Sequence, residues 1–260
     1  MGVFIKPSDP VGLIAARVPS AVRVLEEARI DYHGSGSRSL RDACSAASAP
    51  LERIMALVEE QRATESFDWS AAPLSDLIAH IVDGHHVFTR ELLRRIESNL
   101  AHALRQHADR LHLIDLEVTF RAFSEDLLSH LDMEETSLFP HILGLAHRGD
   151  LSELPYSSVD FPVRVMNIEH ESAEDHLGEL RRLGDNFVPP PRASGALRAL
   201  YADLCALERD IHEHIHLENN VLFPRALEME RTLLGPDAPP SRTSAIPASI
   251  RISEPPPPRR

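Results

Sequence analysis

Two stretches of this chain carry the same row of imidazole and carboxylate side chains at the same spacing. Asp126, His130, Glu134, Leu138, Phe139 and Pro140 spell D-x3-H-x3-E-x3-L-F-P; Asp210, His214, Glu218, Leu222, Phe223 and Pro224 spell it again 84 residues later. The same offset carries His86 onto His170. Imidazole nitrogen and carboxylate oxygen are metal ligands, and no thiolate accompanies them. Four repeat-paired histidines and two glutamates therefore suit two closely spaced iron or manganese ions, with each glutamate able to bridge both. Structural zinc takes a single tetrahedral set, which six convergent ligands exceed. A ferritin-like scheme would need two Glu-x2-His pairs, and the chain has one, Glu213 with His216.

Side chains four apart on a helix lie on one face, so His130 points where Glu134 does, and His214 where Glu218 does. Leu127, Leu131 and Leu138 flank the first row; Ile211, Ile215 and Leu222 flank the second. The polar groups thus sit on or beside the core-facing stripe, where an unpaired carboxylate is costly unless a charge, a proton or a metal compensates it. The repeat also settles register where histidines crowd. His85 maps onto Glu169 but His86 onto His170; His212 maps onto Leu128 and His216 onto Asp132, but His214 onto His130. His80, His102, His112, His141, His147 and His176 read as surface or core fillers. Asp126 and Asp210 either orient the histidines or are plain solvated or capping residues. Pro140 and Pro224 each remove a backbone donor, which predicts a kink just past each row.

Long helices must position these rows. Aromatic residues make up 5% of the 260-residue chain and period-two apolar alternation is scarce, which favours helix over sheet. Four long helices are expected, over about 74–100, 113–148, 162–183 and 194–229, with Ser75 or Asp76 capping the first and glycines at 149 and 184 ending the second and third. Short connections make antiparallel neighbours, hence an all-α, up-down-up-down four-helix bundle. The repeat extends to apolar positions, Leu93 with Leu177 and Ile96 with Leu180 among them. The expected organisation is a small helical amino-terminal domain over 9–63, a linker near 64–72, the bundle over 73–229, and a Pro-rich tail over 231–260. That tail holds eight of the twenty prolines and is expected to be disordered.

A net charge of −13 and no basic stripe argue against nucleic acid as a partner. No stretch approaches the ~20 apolar residues of a membrane span, and the amino terminus lacks a secretory pattern. Cys44 and Cys205 stand alone and read as free thiols of a reducing cytoplasm. A homodimer is compatible with a sequence that carries no signal for oligomeric state.

With these residues in view, the chain resembles hemerythrin-type domains, di-iron four-helix bundles marked by His-x3-Glu and Leu-Phe-Pro. It is more similar still to the iron–sulfur cluster repair di-iron proteins, also called regulators of cell morphogenesis and nitric oxide signalling. Ser70 to Leu74, Ser129 to Pro140 and His214 to Leu227 carry that match, with Asp31-Tyr32 and Ala43-Cys44 in the amino-terminal part. The resemblance spans about 10–228. It implies seven iron ligands, at His86, His107, His130, Glu134, His170, His214 and Glu218, with bridging glutamates and an extra imidazole on one ion. His107 rests on the resemblance alone; His102 and His112 compete with it. The implied function is repair of iron–sulfur clusters damaged by oxidative or nitrosative stress, by iron supply, nitric oxide binding or nitric oxide reduction. Damaged iron–sulfur proteins and a small diatomic such as nitric oxide are the implied partners; oxygen or nitric oxide sensing is the alternative. The family's Cys-Cys pair after Asp-Tyr is absent, and His33-Gly34 stands there. His33 is expected to be a surface turn residue, with iron binding as the alternative.

Overall fold

A computed structural model describes residues 5–64, 68–106, 111–148 and 158–234. Among these the chain is all-α, and the only β pairing is an isolated bridge between Pro10 and Ser39. Four short helices come first: α1 (Val11–Arg17), α2 (Val22–Glu27), α3 (Leu40–Ala46) and α4 (Leu51–Thr64). Ser39 caps α3, its hydroxyl accepting from the Asp42 N–H at 3.2 Å. Val11, Leu25, Leu40, Val58 and the ring of Tyr32 close these helices around a core of their own.

The bundle follows as four rods. The first joins α5 (Leu74–His80) to α6 (Val87–Gln106), and the second joins α7 (Leu111–Met133) to α8 (Phe139–Arg148). The third is α9 (Asp160–Leu183), and the fourth joins α10 (Gly195–Leu217) to α11 (Phe223–Leu234). In three rods the joint is a stretch of π-helix: Ile81–His86, Glu134–Leu138 and Glu218–Leu222. The rods run up-down-up-down, α6 packed chiefly on α10 and α7 on α9.

Local sequence explains the ends. Ser194 caps α10, accepting from the Leu197 N–H at 3.2 Å, and α9 ends at Gly184. The first rod departs from expectation. Its cap position is Pro73, whose carbonyl accepts from the N–H groups of Asp76 and Leu77 at 3.1 Å. Ser75 and Asp76 lie inside the first turn and bond each other at 3.1 Å instead. The fourth rod runs to Leu234, past the expected end near Met229. Gly149 and the tail beyond Leu234 lie outside the described residues. Both cysteines are free, Cys44 buried and Cys205 half-buried. No helix among the described residues is long and apolar enough to cross a membrane.

Burial along the bundle comes in two apolar blocks. Leu93, Ile96, Phe123, Leu177, Leu180 and Leu204 belong to one; Leu77, Ile81, Leu138, Ile142, Met166 and Leu222 belong to the other. Each fully buried side chain of this kind contributes roughly 1.5–3 kcal/mol, enough to hold a polar layer between the blocks in place.

The amino-terminal helices press against the bundle beside its last π turn. There Asn220 donates from Nδ2 to the carbonyls of Tyr32 and His33, at 3.3 and 3.0 Å. Arg209 reaches Glu26 at 3.2 Å, and the Trp69 N–H donates to the Ala16 carbonyl at 3.0 Å. Gly36 makes this fit possible, because a Cβ there would stand 2.0 Å from Asn220 Oδ1. We expect Gly36→Ala to displace the Asn220 amide and cost about 1–3 kcal/mol of stability through the lost hydrogen bonds. Gly178→Ala, with nothing within 4 Å of the new Cβ on an exposed face of α9, should instead gain about 0.5–1 kcal/mol. Urea denaturation of both variants checks the opposite signs.

Candidate metal centre

The polar layer is assembled from all four rods. His86 ends the first π turn, His130 sits on α7 one turn before Glu134, His170 lies in the middle of α9, and His214 precedes Glu218 at the end of α10. Glu134 and Glu218 each open a π turn. The six side chains are buried; Glu134, Glu218 and His86 have no exposed surface at all.

Their ligand atoms converge in two overlapping sets. His86 and His214 form one with Glu134 and Glu218; His130 and His170 form the other with the same two glutamates, each set lying within 4.8 Å. One oxygen of Glu134 faces His86 Nε2 at 3.5 Å and the other faces His130 Nε2 at 3.4 Å. Glu218 repeats this with His214 at 3.0 Å and His170 at 3.1 Å. Each carboxylate thus spans both sets.

Proton placement shows what the centre needs. His86 Nδ1 donates to Glu135 at 2.7 Å, His130 Nδ1 to Glu169 at 2.7 Å, and His170 Nδ1 to Asn219 at 2.9 Å. With Nδ1 carrying the proton of a neutral ring, each Nε2 turns a lone pair inward. All four oxygens of Glu134 and Glu218 are buried without a hydrogen bond to a described residue. Lone pairs therefore face lone pairs, an arrangement that positive charge between them would stabilise. Burial and the neighbouring His214 pull His86 down to about 4, which keeps it neutral and able to ligate. Burial and the facing Glu218 push Glu134 well above the usual carboxylate range. These residues fit a pair of cations: two imidazoles for each, and two carboxylates shared.

The Leu-Phe-Pro signature has a structural reason. Pro140 and Pro224 bring no backbone donor. Beside each proline the helix widens: the Phe139 N–H donates to the Glu134 carbonyl and the Phe223 N–H to that of Glu218, five residues back. Leu138 and Leu222 fill the core. Phe139 stacks over His86 with centroids 5.7 Å apart, and Phe223 over His170 at 6.1 Å, so each ring covers a ligand from the rod before it. The π turn at Ile81–His86 lets two adjacent residues, His85 and His86, both face inward.

Of the seven residues singled out from sequence and resemblance, six meet here. His107 lies outside the described residues. The competing histidines go elsewhere: His85 bonds Asp210 at 2.7 Å, His216 meets Asn220 at 3.2 Å, and His212 stacks on His33. Asp210 therefore serves His85, with Thr89 donating to its other oxygen at 2.9 Å, and Asp126 is exposed. Neither orients a converging histidine. That work falls to Glu135, Glu169 and Asn219, of which Glu135 and Asn219 are 84 residues apart and serve His86 and His170, which differ by the same offset. Arg90 bonds Glu135 at 2.6 Å. Against partial burial, His86 and Arg90 hold Glu135 below its usual range. The offset itself could have found this pair. The expected surface position of His33 is also corrected: its ring packs against His212 at 4.1 Å and only 14% of its side chain is exposed.

A four-helix bundle with shared histidine and glutamate sets defines a cation-binding class, and comparison agrees. Residues 77–226 match the family described as the Hemerythrin HHE cation binding domain. The chain is 33% identical over 229 residues to the "Iron-sulfur cluster repair protein YtfE" of Salmonella schwarzengrund (strain CVM19633), covering 85% of this chain and 98% of that protein. The YtfE proteins of Salmonella paratyphi B and Salmonella newport match at the same identity and coverage. The chain belongs to the hemerythrin HHE family, in the branch of these iron–sulfur cluster repair proteins.

If Glu135 and Asn219 set ring orientation, Glu135→Ala and Asn219→Ala should each weaken cation binding on the order of 10–100-fold. Asp126→Ala should leave it unchanged. Isothermal titration calorimetry with ferrous iron under anaerobic conditions measures all three.

Proposed function

We propose that this protein holds two iron ions between Glu134 and Glu218 and serves in the repair of iron–sulfur clusters damaged by oxidative or nitrosative stress. His86 and His214 hold one ion, His130 and His170 the other, and His107 supplies a further imidazole to one of them. The observation that carries this is the sharing of both buried carboxylates between two histidine pairs, a donor set that a single cation would leave half unused. Imidazole with carboxylate, without thiolate, suits iron. The YtfE relatives, matched along nearly their whole length, bear the repair function in their name.

Bound iron supplies one-electron change between ferrous and ferric states and a position for a small diatomic such as nitric oxide. The chain's own residues do the rest. The outward Nδ1 hydrogen bonds of His86, His130 and His170 keep their Nε2 atoms aimed inward, and Phe139 and Phe223 shield the histidines they cover. Glu134 is driven towards its protonated form by burial and by Glu218, so its carboxylate can hold a proton. Two unpaired cysteines accord with a reducing cytoplasm.

Elemental analysis after anaerobic iron loading should find about two irons per chain; fewer than one would contradict the reading. Glu134→Ala and Glu218→Ala should lower that content, whereas His102→Ala, at an exposed position, should not. Mixed with a nitrosylated iron–sulfur enzyme, the iron-loaded protein should restore its activity, and Glu218→Ala should fail to.

A further inference from the structure

Apart from the paired centre, one other group of described side chains gathers metal-ligating atoms: His33, Glu174 and His212. They come from three distant places in the chain. His33 sits in the turn after Tyr32, Glu174 on α9 and His212 on α10. Glu174 Oε1 lies 3.1 Å from His33 Nδ1 and its Oε2 lies 3.4 Å from His212 Nε2. His33 Nδ1 and Glu174 Oε1 are buried atoms without a hydrogen bond to a described residue. Asp31 adds an oxygen 3.7 Å from His33 Nδ1.

This group is no copy of the paired centre. The offset of 84 maps Glu174 onto Arg90 and His212 onto Leu128, and His33 stands outside the repeat. His212 precedes His214 by two residues, so their side chains leave α10 on roughly opposite sides. The two pairs of rings also differ. In the paired centre, ligand rings are inclined by 55° and 64°; His33 and His212 lie nearly parallel, at 10°.

We propose that His33, Glu174 and His212 form a separate mononuclear site for zinc. Two imidazole nitrogens and one carboxylate oxygen are three ligands of a tetrahedral zinc set, and a water can complete it because the site is partly open: the side chains are 14%, 31% and 21% exposed. Convergence on one ion requires one ring to turn out of the parallel stack. The bound ion ties the turn carrying His33 to α9 and α10, joining the amino-terminal helices to the bundle. Because it binds the folded chain, it stabilises that chain by linkage.

Iron-loaded, full-length protein dialysed against zinc tests this. The expected result is one zinc per chain gained with iron content unchanged, and a higher Tm with zinc than without. His33→Ala should lose the extra zinc and the zinc-dependent rise in Tm while keeping its iron. Glu174→Gln retains hydrogen-bonding atoms but loses the charge, and it should show the same loss even if removal of the His33 ring disturbs the turn. Zinc gained equally by parent and both variants, zinc gained only in exchange for iron, or no zinc gained by the parent would overturn the proposal.

Discussion

Two carboxylates without a hydrogen bond to any described residue, buried between imidazole lone pairs, are the constraint around which the rest of this molecule is arranged. Glu134 and Glu218 sit in the middle of the bundle with no exposed surface, and an unpartnered ionised carboxylate in such a place is among the most costly groups a fold can bury. The apolar blocks on either side hold the rods close enough to enclose them. The π turns, which begin at the two glutamates, accommodate the prolines that follow. The outward bonds of His86, His130 and His170 commit the inner nitrogens to cations.

The duplication makes the centre nearly symmetric, and its exceptions are informative. Glutamates, prolines, covering phenylalanines and the groups that orient His86 and His170 all repeat. The position paired with Glu169 is instead His85, which turns away to Asp210. A carboxylate thus orients His130, and no copy of it stands at the matching place for His214. The amino-terminal segment meets the second half of the repeat through Asn220, Arg209, Glu174 and His212. The two histidine pairs therefore have different surroundings.

Much of this was legible in the residues because a repeat compares the chain with itself. A common offset picks His86 over His85 and His214 over its neighbours, and the structure brings those very side chains together. Glu135 and Asn219 share the same offset, but they differ in residue type, so matching identical residues across the repeat passes over them. The π turns were hidden for another reason. Proline announces a missing donor without saying which wider hydrogen bond forms beside it. Pro73 took the cap position from Ser75 and Asp76 because its carbonyl receives the first N–H groups of the helix. His33 was read as exposed because a Gly-Ser turn usually is; its burial comes from contact with α9 and α10, more than 130 residues away, which no local pattern records. His107 has only family resemblance behind it.

Anomalous diffraction at the iron edge from crystals of the iron-loaded protein tests the central claim most directly. The account predicts two peaks per chain within about 4 Å of each other, both in contact with Glu134 and Glu218. A single peak, or two peaks that do not share these carboxylates, would contradict it.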